Sequence, residues 1–169
     1  MAIEIIPLTG IIIDDVTIKL GMKKSQVIEA LGNGVQEHRH FYYDNELAFD
    51  YDANDCVEFI EFLGGIEGGL KPYIYGISAF ESDANEVILV LRERNNGVII
   101  NDENGYSYGF RNISVGIYRT ATLESVQQDI EDMKADGEYC QEYIDEEMIK
   151  ANHWATIGIG IAGYYSKNK

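Results

Sequence analysis

The stretch that decides the fold is KKSQVIEALG at residues 23–32, followed by FYYDNELAFDY at residues 41–51. In the first part, apolar residues recur at helical spacing, and Gly32 supplies a left-handed stop. In the second part, two runs alternate like strands on either side of the turn Asp44-Asn45. A helix followed at once by paired strands predicts an α+β fold, with a mostly antiparallel sheet and helices on one face.

The same order recurs further along the chain. A strand is expected from Tyr73 to Phe80, a helix from its N-cap Ser82 to about Asn95, and strand-like runs up to Tyr118. We therefore predict an internal duplication of a strand–helix–three-strand unit. The pseudo-repeats are 10–63 and 72–119. They are followed by a helical part at 122–151 and a final strand at 153–165, all within a single domain, 1–169.

Charge is the strongest property of the whole chain. It carries 29 Asp and Glu against 13 Lys and Arg, for a formal net charge of −16. Such a surface repels nucleic-acid phosphates and anionic membranes and attracts basic proteins, so a basic protein is the expected partner. The alternative is that acidity serves only solubility. At 46% hydrophobic residues the chain has an ordinary globular composition.

The ends and the cysteines favour a reducing compartment. Cys56 and Cys140 lie far apart, unlike the dense pattern of secreted scaffolds. The first residues lack the basic start and apolar run of a signal peptide, and no window of 18 apolar residues occurs. We expect a cytoplasmic, bacterial protein. The sequence leaves its oligomeric state open.

The acidic run in the helical part is the strongest regional signal. Ten carboxylates lie between Glu124 and Glu147, interrupted by the single base Lys134. A solvated helix face normally mixes charges for i, i+4 pairing, so this density favours a docking role over simple solvation. A helix from Glu138 to Ala151 is expected to bury Tyr143. The expected partner-binding residues are the carboxylates and exposed tyrosines Glu138, Glu142, Asp145, Glu146, Tyr42, Tyr43, Tyr106 and Tyr108.

Two patterns suggest a metal site. Asp50, Asp52, Asn54 and Glu61 occupy positions one, three, five and twelve of a calcium-loop template. However, Asp55 stands where that loop needs glycine, and both flanks alternate like strands. An Asp- and Asn-rich β-turn is therefore the favoured interpretation.

Histidines supply the other metal pattern. His38 and His40 would share one strand face, and His153 could complete an open zinc site. Ordinary surface histidines at the start of a strand are the commoner explanation. No cofactor is predicted.

Residues 21–32, GMKKSQVIEALG, together with Phe41-Tyr42-Tyr43, resemble the opening of the SmpA/OmlA (BamE) module. In that module a Gly-Met turn leads into a helix ending in Leu-Gly, and aromatic strands follow. The related β-lactamase inhibitor protein fold duplicates such a helix-and-sheet unit and binds another protein through its sheet. The resemblance covers residues 16–62, with an echo in 80–119, and implies a protein-binding scaffold. The chain departs from the family in having no lipid-attachment cysteine and in ending the motif with Asn33-Gly34.

No compact catalytic signature is present. The chain contains no Gly-x-Ser-x-Gly, phosphate loop or dinucleotide fingerprint. The favoured function is therefore a non-enzymatic protein-binding module, specifically an immunity-type inhibitor of a basic toxin or nuclease. The alternatives are a metal- or small-molecule-binding protein or hydrolase that uses the Asp50–Glu61 loop or the His38/His40 pair, and a structural accessory domain.

Overall fold

The structure is a computed structural model in which residues 1–166 are described. The strands are β1 Ile3–Ile6, β2 Gly10–Ile13, β3 Val16–Lys19, β4 Val35–Gln36, β5 His40–Tyr42, β6 Leu47–Tyr51, β7 Val57–Phe62, β8 Tyr73–Ile74, β9 Ile77–Ser78, β10 Ile99–Ile100, β11 Ser107–Phe110, β12 Val115–Tyr118 and β13 Thr156–Gly160. The helices are α1 Lys24–Leu31, α2 Ala84–Asn95, α3 Leu123–Ala135 and α4 Gln141–Ala151, and a 3₁₀ turn covers Tyr164–Ser166.

The predicted α+β class is confirmed, with two sheets. An eight-stranded sheet has the order β10-β11-β12-β13-β7-β6-β5-β4, and all its neighbours are antiparallel. A five-stranded sheet has the order β3-β2-β1-β8-β9, with one parallel pair, β1 and β8. Within the described residues, no helix is long and apolar enough to cross a membrane.

The strand order has an internal symmetry. The edge strands β3 and β9 of the five-stranded sheet lead into α1 and α2, and each helix leads into one half of the eight-stranded sheet. The halves mirror each other and meet where β7 pairs with β13. This is the order that a duplicated unit produces. It makes β13 the fourth strand of the second unit, so each helix is followed by four strands rather than the expected three.

The two units differ in one connection. In the first, β6 and β7 are joined by a short turn at residues 52–56, whereas in the second, β12 and β13 are separated by α3 and α4. We call residues 122–151 the helical hairpin. The hairpin is therefore an insertion relative to the other unit, at a position where the fold needs only a turn.

The main core lies between the two sheets. One face of the eight-stranded sheet presents Leu47, Ile60 and Ile157 to a single buried cluster shared with α1, α2 and the five-stranded sheet. The helices insert Val27 and Leu91, both fully buried, because their apolar residues recur at three and four positions. The first two helices therefore occupy the inner face of the large sheet.

A row of glycines crosses the opposite face of the large sheet. Gly109 pairs with Gly116, which pairs with Gly158 on the next strand. A Cβ at Gly116 would overlap the hydroxyl of Tyr165, and one at Gly158 would overlap the ring of Phe59. Aromatic rings therefore cover the face of the sheet on which these glycines lie.

Three predicted boundaries are corrected. The Tyr73–Phe80 strand is two short strands joined by a tight turn, because Tyr75 and the following glycine take positive φ angles of 49° and 82°. The N-cap of α2 is Asp83 rather than Ser82, since the Asp83 side chain accepts from the backbone of Asn85. The final strand, expected at 153–165, covers only Thr156–Gly160; beyond it the Ile161 amide donates to the carbonyl of Glu58 on β7, and the Ile161 carbonyl accepts from the hydroxyl of Ser114.

Candidate functional site

The helical hairpin holds half of the net charge. Its thirty residues include ten carboxylates and two lysines, a net of −8 within a chain of −16. One ion pair forms within it, between Lys150 and Glu147 at 2.8 Å. The remaining carboxylates of the hairpin have no ion-pair partner among the described residues.

Local sequence explains why the hairpin forms. Thr122 caps α3 in a reciprocal arrangement with Ser125, which satisfies backbone donors at the start of the helix. Gly137, at φ 68°, ends α3, and the next amide bonds back to the carbonyl of Met133. Both ends of α3 are therefore set by residues next to them in sequence.

The hairpin has a small core of its own. Val126 on α3 and Ile144 on α4 are buried together with Ala121 and Ala151, and this cluster is separate from the main core. The apolar stripe of each helix is therefore used to join the two helices. Most of the carboxylates lie outside this stripe and are exposed.

The expected binding carboxylates lie on one exposed surface. Glu142, Asp145 and Glu146 are all exposed on α4, and their spacing of three and four places them on one helix face. Glu138 is exposed just before the helix begins. The structure therefore brings these four predicted residues to the same region of the hairpin.

Large apolar side chains interrupt this acidic surface. Tyr139 and Tyr143 are 43% and 40% exposed, and Leu123 and Ile149 are about half exposed. The hydroxyl of Tyr143 donates to Asp129 of the facing helix, with 3.4 Å between oxygens. The carboxylates of Glu147 and Asp129 raise the pKa of the Tyr143 hydroxyl.

The tyrosine anchors predicted from sequence are not the exposed ones. Tyr42 is buried, and its hydroxyl donates to the carbonyl of Gly32. Tyr43, Tyr106 and Tyr108 are half-buried. The prediction that Tyr42 is exposed is therefore wrong, because its strand faces the main core.

Sequence reasoning missed Tyr139 and Tyr143 as exposed aromatics. Tyr143 was expected to be buried with Ile144, but only Ile144 enters the small core, and Tyr143 lies exposed at its edge with its hydroxyl on Asp129. Their position inside the acidic run is the signal that would have identified them. Two packed helices bury only one narrow stripe each, so some aromatic residues in this run must lie on the exposed side.

The calcium-loop residues have other partners. Arg39 forms a two-pronged contact with Asp50, at 2.7 and 2.9 Å, and reaches Glu61 at 2.8 Å. Asp52 accepts from the backbone of Asn54 and Cys56, as in an Asx turn. These oxygens therefore do not converge on a point, and the favoured β-turn interpretation fits the β6–β7 connection.

The histidine pair is split by burial. His40 is buried, and its ring nitrogens contact the hydroxyl of Tyr51 at 2.6 Å and the carbonyl of Asn33 at 2.8 Å. His38 is exposed in the bend between β4 and β5. Within residues 1–166, no three His, Cys, Asp or Glu side chains are placed to hold a metal ion.

Comparison of the chain with protein families, with characterised proteins and with solved structures found no match.

Proposed function

We propose that this chain is a non-enzymatic protein-binding module whose helical hairpin docks on the basic surface of another protein. The observation that carries the proposal is the insertion itself. Thirty residues stand where the first unit needs only a turn, and they hold half of the net charge. The fold does not require this segment, and its unpaired like charges lower stability. A binding role explains both features best.

The surface has the composition of a docking site. Tyr139 and Tyr143 provide aromatic groups that bury large areas with little loss of conformational freedom, and such residues dominate interface energies. Carboxylates around them accelerate the encounter with a cationic partner and fix its orientation. Apolar anchors inside a charged surface match the usual arrangement of an interface.

The favoured partner is a basic toxin, in particular a nuclease. Proteins that act on nucleic acids carry Lys and Arg arrays that neutralise phosphates. Rows of carboxylates on two helices offer the same sign of charge as those phosphates, so the hairpin would cover such an array and block substrate. This makes the chain an immunity-type inhibitor. The resemblance of residues 16–62 to a protein-binding helix-and-sheet module is in keeping with this proposal.

The test uses charge reversal on one helix face. The triple variant Glu142→Lys, Asp145→Lys, Glu146→Lys is compared with the unchanged chain in binding a basic protein that the unchanged chain captures from a lysate of its native host. We expect the association rate constant at 50 mM salt to fall by at least tenfold, and its salt dependence to weaken.

A matched control separates local from global charge. Asp15→Lys, Glu29→Lys, Glu93→Lys gives the same net charge from exposed sites outside the hairpin. Thermal unfolding of both variants checks that each is folded. Equal losses of association rate in the two triple variants would contradict docking through the hairpin, and an unchanged rate in the α4 variant would contradict steering altogether.

A further inference from the structure

A polar cavity lies at the base of the helical hairpin. Its volume is about 360 Å³, within the range of small-molecule sites. The start of α2, the loop before β11, the start of α3 and the end of α4 all border it. The lining includes one cation, Arg119, four asparagines and one carboxylate, namely Arg119, Asn85, Asn101, Asn104, Asn152 and Glu124.

Arg119 is a buried cation that forms no ion pair with any described residue. Only 8% of the residue is exposed. Its Nε donates to the carbonyl of Gly105 at 2.9 Å and one Nη to the carbonyl of Ala151 at 2.8 Å. The guanidinium also lies over the ring of Trp154, 4.6 Å from the ring centroid. Its other terminal nitrogen, Nη2, makes no hydrogen bond with the described residues.

An unpaired guanidinium at this depth is unusual. Buried charges are normally paired, and this chain has 29 carboxylates available. Burial lowers the pKa of Arg119, while electrostatic interactions with Tyr108 and with Asp83 oppose that shift. Arg119 therefore keeps N–H donors that no described residue accepts from, and no described carboxylate contacts it.

The surrounding helix ends contribute charges of both signs. The end of α4 supplies about half a negative charge at the Ala151 carbonyl, which offsets part of the guanidinium. The first turns of α2 and α3, at Ala84 and Leu123, also border the cavity, and each contributes about half a positive charge, which the carboxylates of Asp83 and Glu124 at those helix starts offset. One buried cation and two helix starts thus face the same space.

We propose that this cavity is a binding site for a carboxylate group, which Arg119 holds through its free N–H donors. A planar guanidinium matches a carboxylate in two-pronged geometry. A carboxylate carries one negative charge, so Glu124 at the rim repels it less than it would repel a phosphate dianion. Asparagine amides around the rim suit the polar remainder of the ligand. The proposal goes beyond hairpin docking and does not depend on it.

The single tryptophan provides the readout. Trp154 is fully buried, and its indole nitrogen donates to the carbonyl of Ala84, another residue of the cavity wall. A carboxylate on Arg119 changes the charge over the indole ring. We expect Trp fluorescence to change saturably with sodium acetate, with a millimolar midpoint, at an ionic strength held constant with sodium chloride.

Three further titrations fix the chemistry of the ligand. A tri-glycine peptide with a free C-terminal carboxylate, compared with its amide, asks whether the carboxylate comes from a chain end. A stronger response to the free acid than to acetate assigns the site to a partner's chain end, and a response to acetate alone assigns it to a free small acid. Inorganic phosphate binding more tightly than every carboxylate would overturn the proposal.

Variants connect the response to Arg119. Arg119→Lys keeps the positive charge but loses the planar, two-pronged guanidinium, so we expect the acetate midpoint to rise at least fivefold. The control Arg92→Lys, at an exposed position on α2, should leave the midpoint unchanged. Glu124→Gln, exposed at the rim, removes a repelling charge without touching Arg119, and about a twofold tighter midpoint is expected.

Two further results would also overturn the proposal. A fluorescence change that is linear in acetate, or equal to that with chloride alone, shows that no site exists. A midpoint unaffected by both Arg119→Lys and Glu124→Gln shows that the carboxylate binds elsewhere. If Arg119→Lys does not fold, the Glu124→Gln titration decides alone.

Discussion

Tyr42 lies in the core with its hydroxyl donating to the carbonyl of Gly32, 2.7 Å away, and so ties the end of α1 to β5. Burial raises the pKa of this hydroxyl to about 12 from an ordinary value of 10.0, since the phenolate would be charged in an apolar site. This hydrogen bond thus joins the end of α1 to β5, and the stability that it contributes is sensitive to alkaline pH.

The sign of that sensitivity follows from linkage. The folded state holds the Tyr42 proton more tightly than the unfolded state, so the stability it contributes is complete below pH 10 and is lost as pH rises towards 12. We expect Tyr42→Phe to lower the free energy of unfolding by about 1 kcal/mol at pH 8, where the hydrogen bond is lost.

The two stability curves should then converge and cross between pH 10 and 12, because the variant lacks this titration. Urea unfolding at intervals from pH 8 to 11.5 measures both proteins, and the other tyrosines titrate in each. Curves that stay parallel would show that Tyr42 ionises no differently in the folded chain.

Glycine also acts at the residue scale on the large sheet. Gly116 and Gly158 let the rings of Tyr165 and Phe59 lie against the backbone. Phe59 in turn stacks on Tyr164, with ring centroids 4.6 Å apart. The end of the described chain is therefore packed on the sheet because two strands lack side chains there.

At the scale of elements, the helical hairpin is a semi-independent unit. Its buried residues touch one another rather than the main cluster, and Arg119 fastens its base through carbonyls on either side. A small core beside a large one opens more readily, because few apolar contacts hold it closed.

Ile144→Ala should therefore loosen the hairpin selectively. Truncating a buried Ile lowers the free energy of unfolding by about 2–5 kcal/mol. That loss is large for a cluster with only four buried residues. We expect backbone amides in residues 123–151 to exchange with deuterium at least tenfold faster. Amides in β6, β7 and β13 should keep their protection, as peptide-level mass spectrometry can measure.

The matched control is Ile60→Ala in the main core. Ile60 is buried on β7 at the junction between the two halves of the large sheet. Its truncation should raise exchange throughout both sheets. If Ile144→Ala also exposed the central strands, the hairpin and the sheets would be one cooperative unit, contrary to the separation of their cores.

At the scale of the whole molecule, a net charge of −16 repels itself. Screening shortens the Debye length from about 30 Å at 0.01 M salt to below 8 Å above 0.15 M. We expect the melting temperature to rise by about 3–6 °C between 10 and 500 mM sodium chloride, since like charges then repel less.

The hairpin should account for much of that rise. Glu142→Gln, Asp145→Asn, Glu146→Gln removes three charges from one helix face, so its melting temperature should be higher at low salt and less salt-dependent. Differential scanning calorimetry at matched salt concentrations measures this. A salt response identical to that of the unchanged chain would mean that the hairpin charges do not interact.

Local sequence was enough to predict most elements and the acidic surface. The spacing of Val27 and Leu31, the cap at Thr122 and the stop at Gly137 each act within a few residues, so helices and strands follow from short-range rules. Charge is a sum over the chain and needs no structure. The hairpin carboxylates Glu142, Asp145 and Glu146 were therefore identified correctly as exposed.

Only the tertiary structure decided which residues meet. Alternation along β5 leaves open whether Tyr42 or Phe41 faces the core, and here both are buried. Local sequence does not show that Asp50 and Glu61 form ion pairs with Arg39 instead of binding a metal. Nor does it show that Arg119 donates to carbonyls 14 and 32 residues away. Such contacts depend on how strands and helices pack across long separations, and that packing is fixed by the core as a whole rather than by any one stretch of sequence.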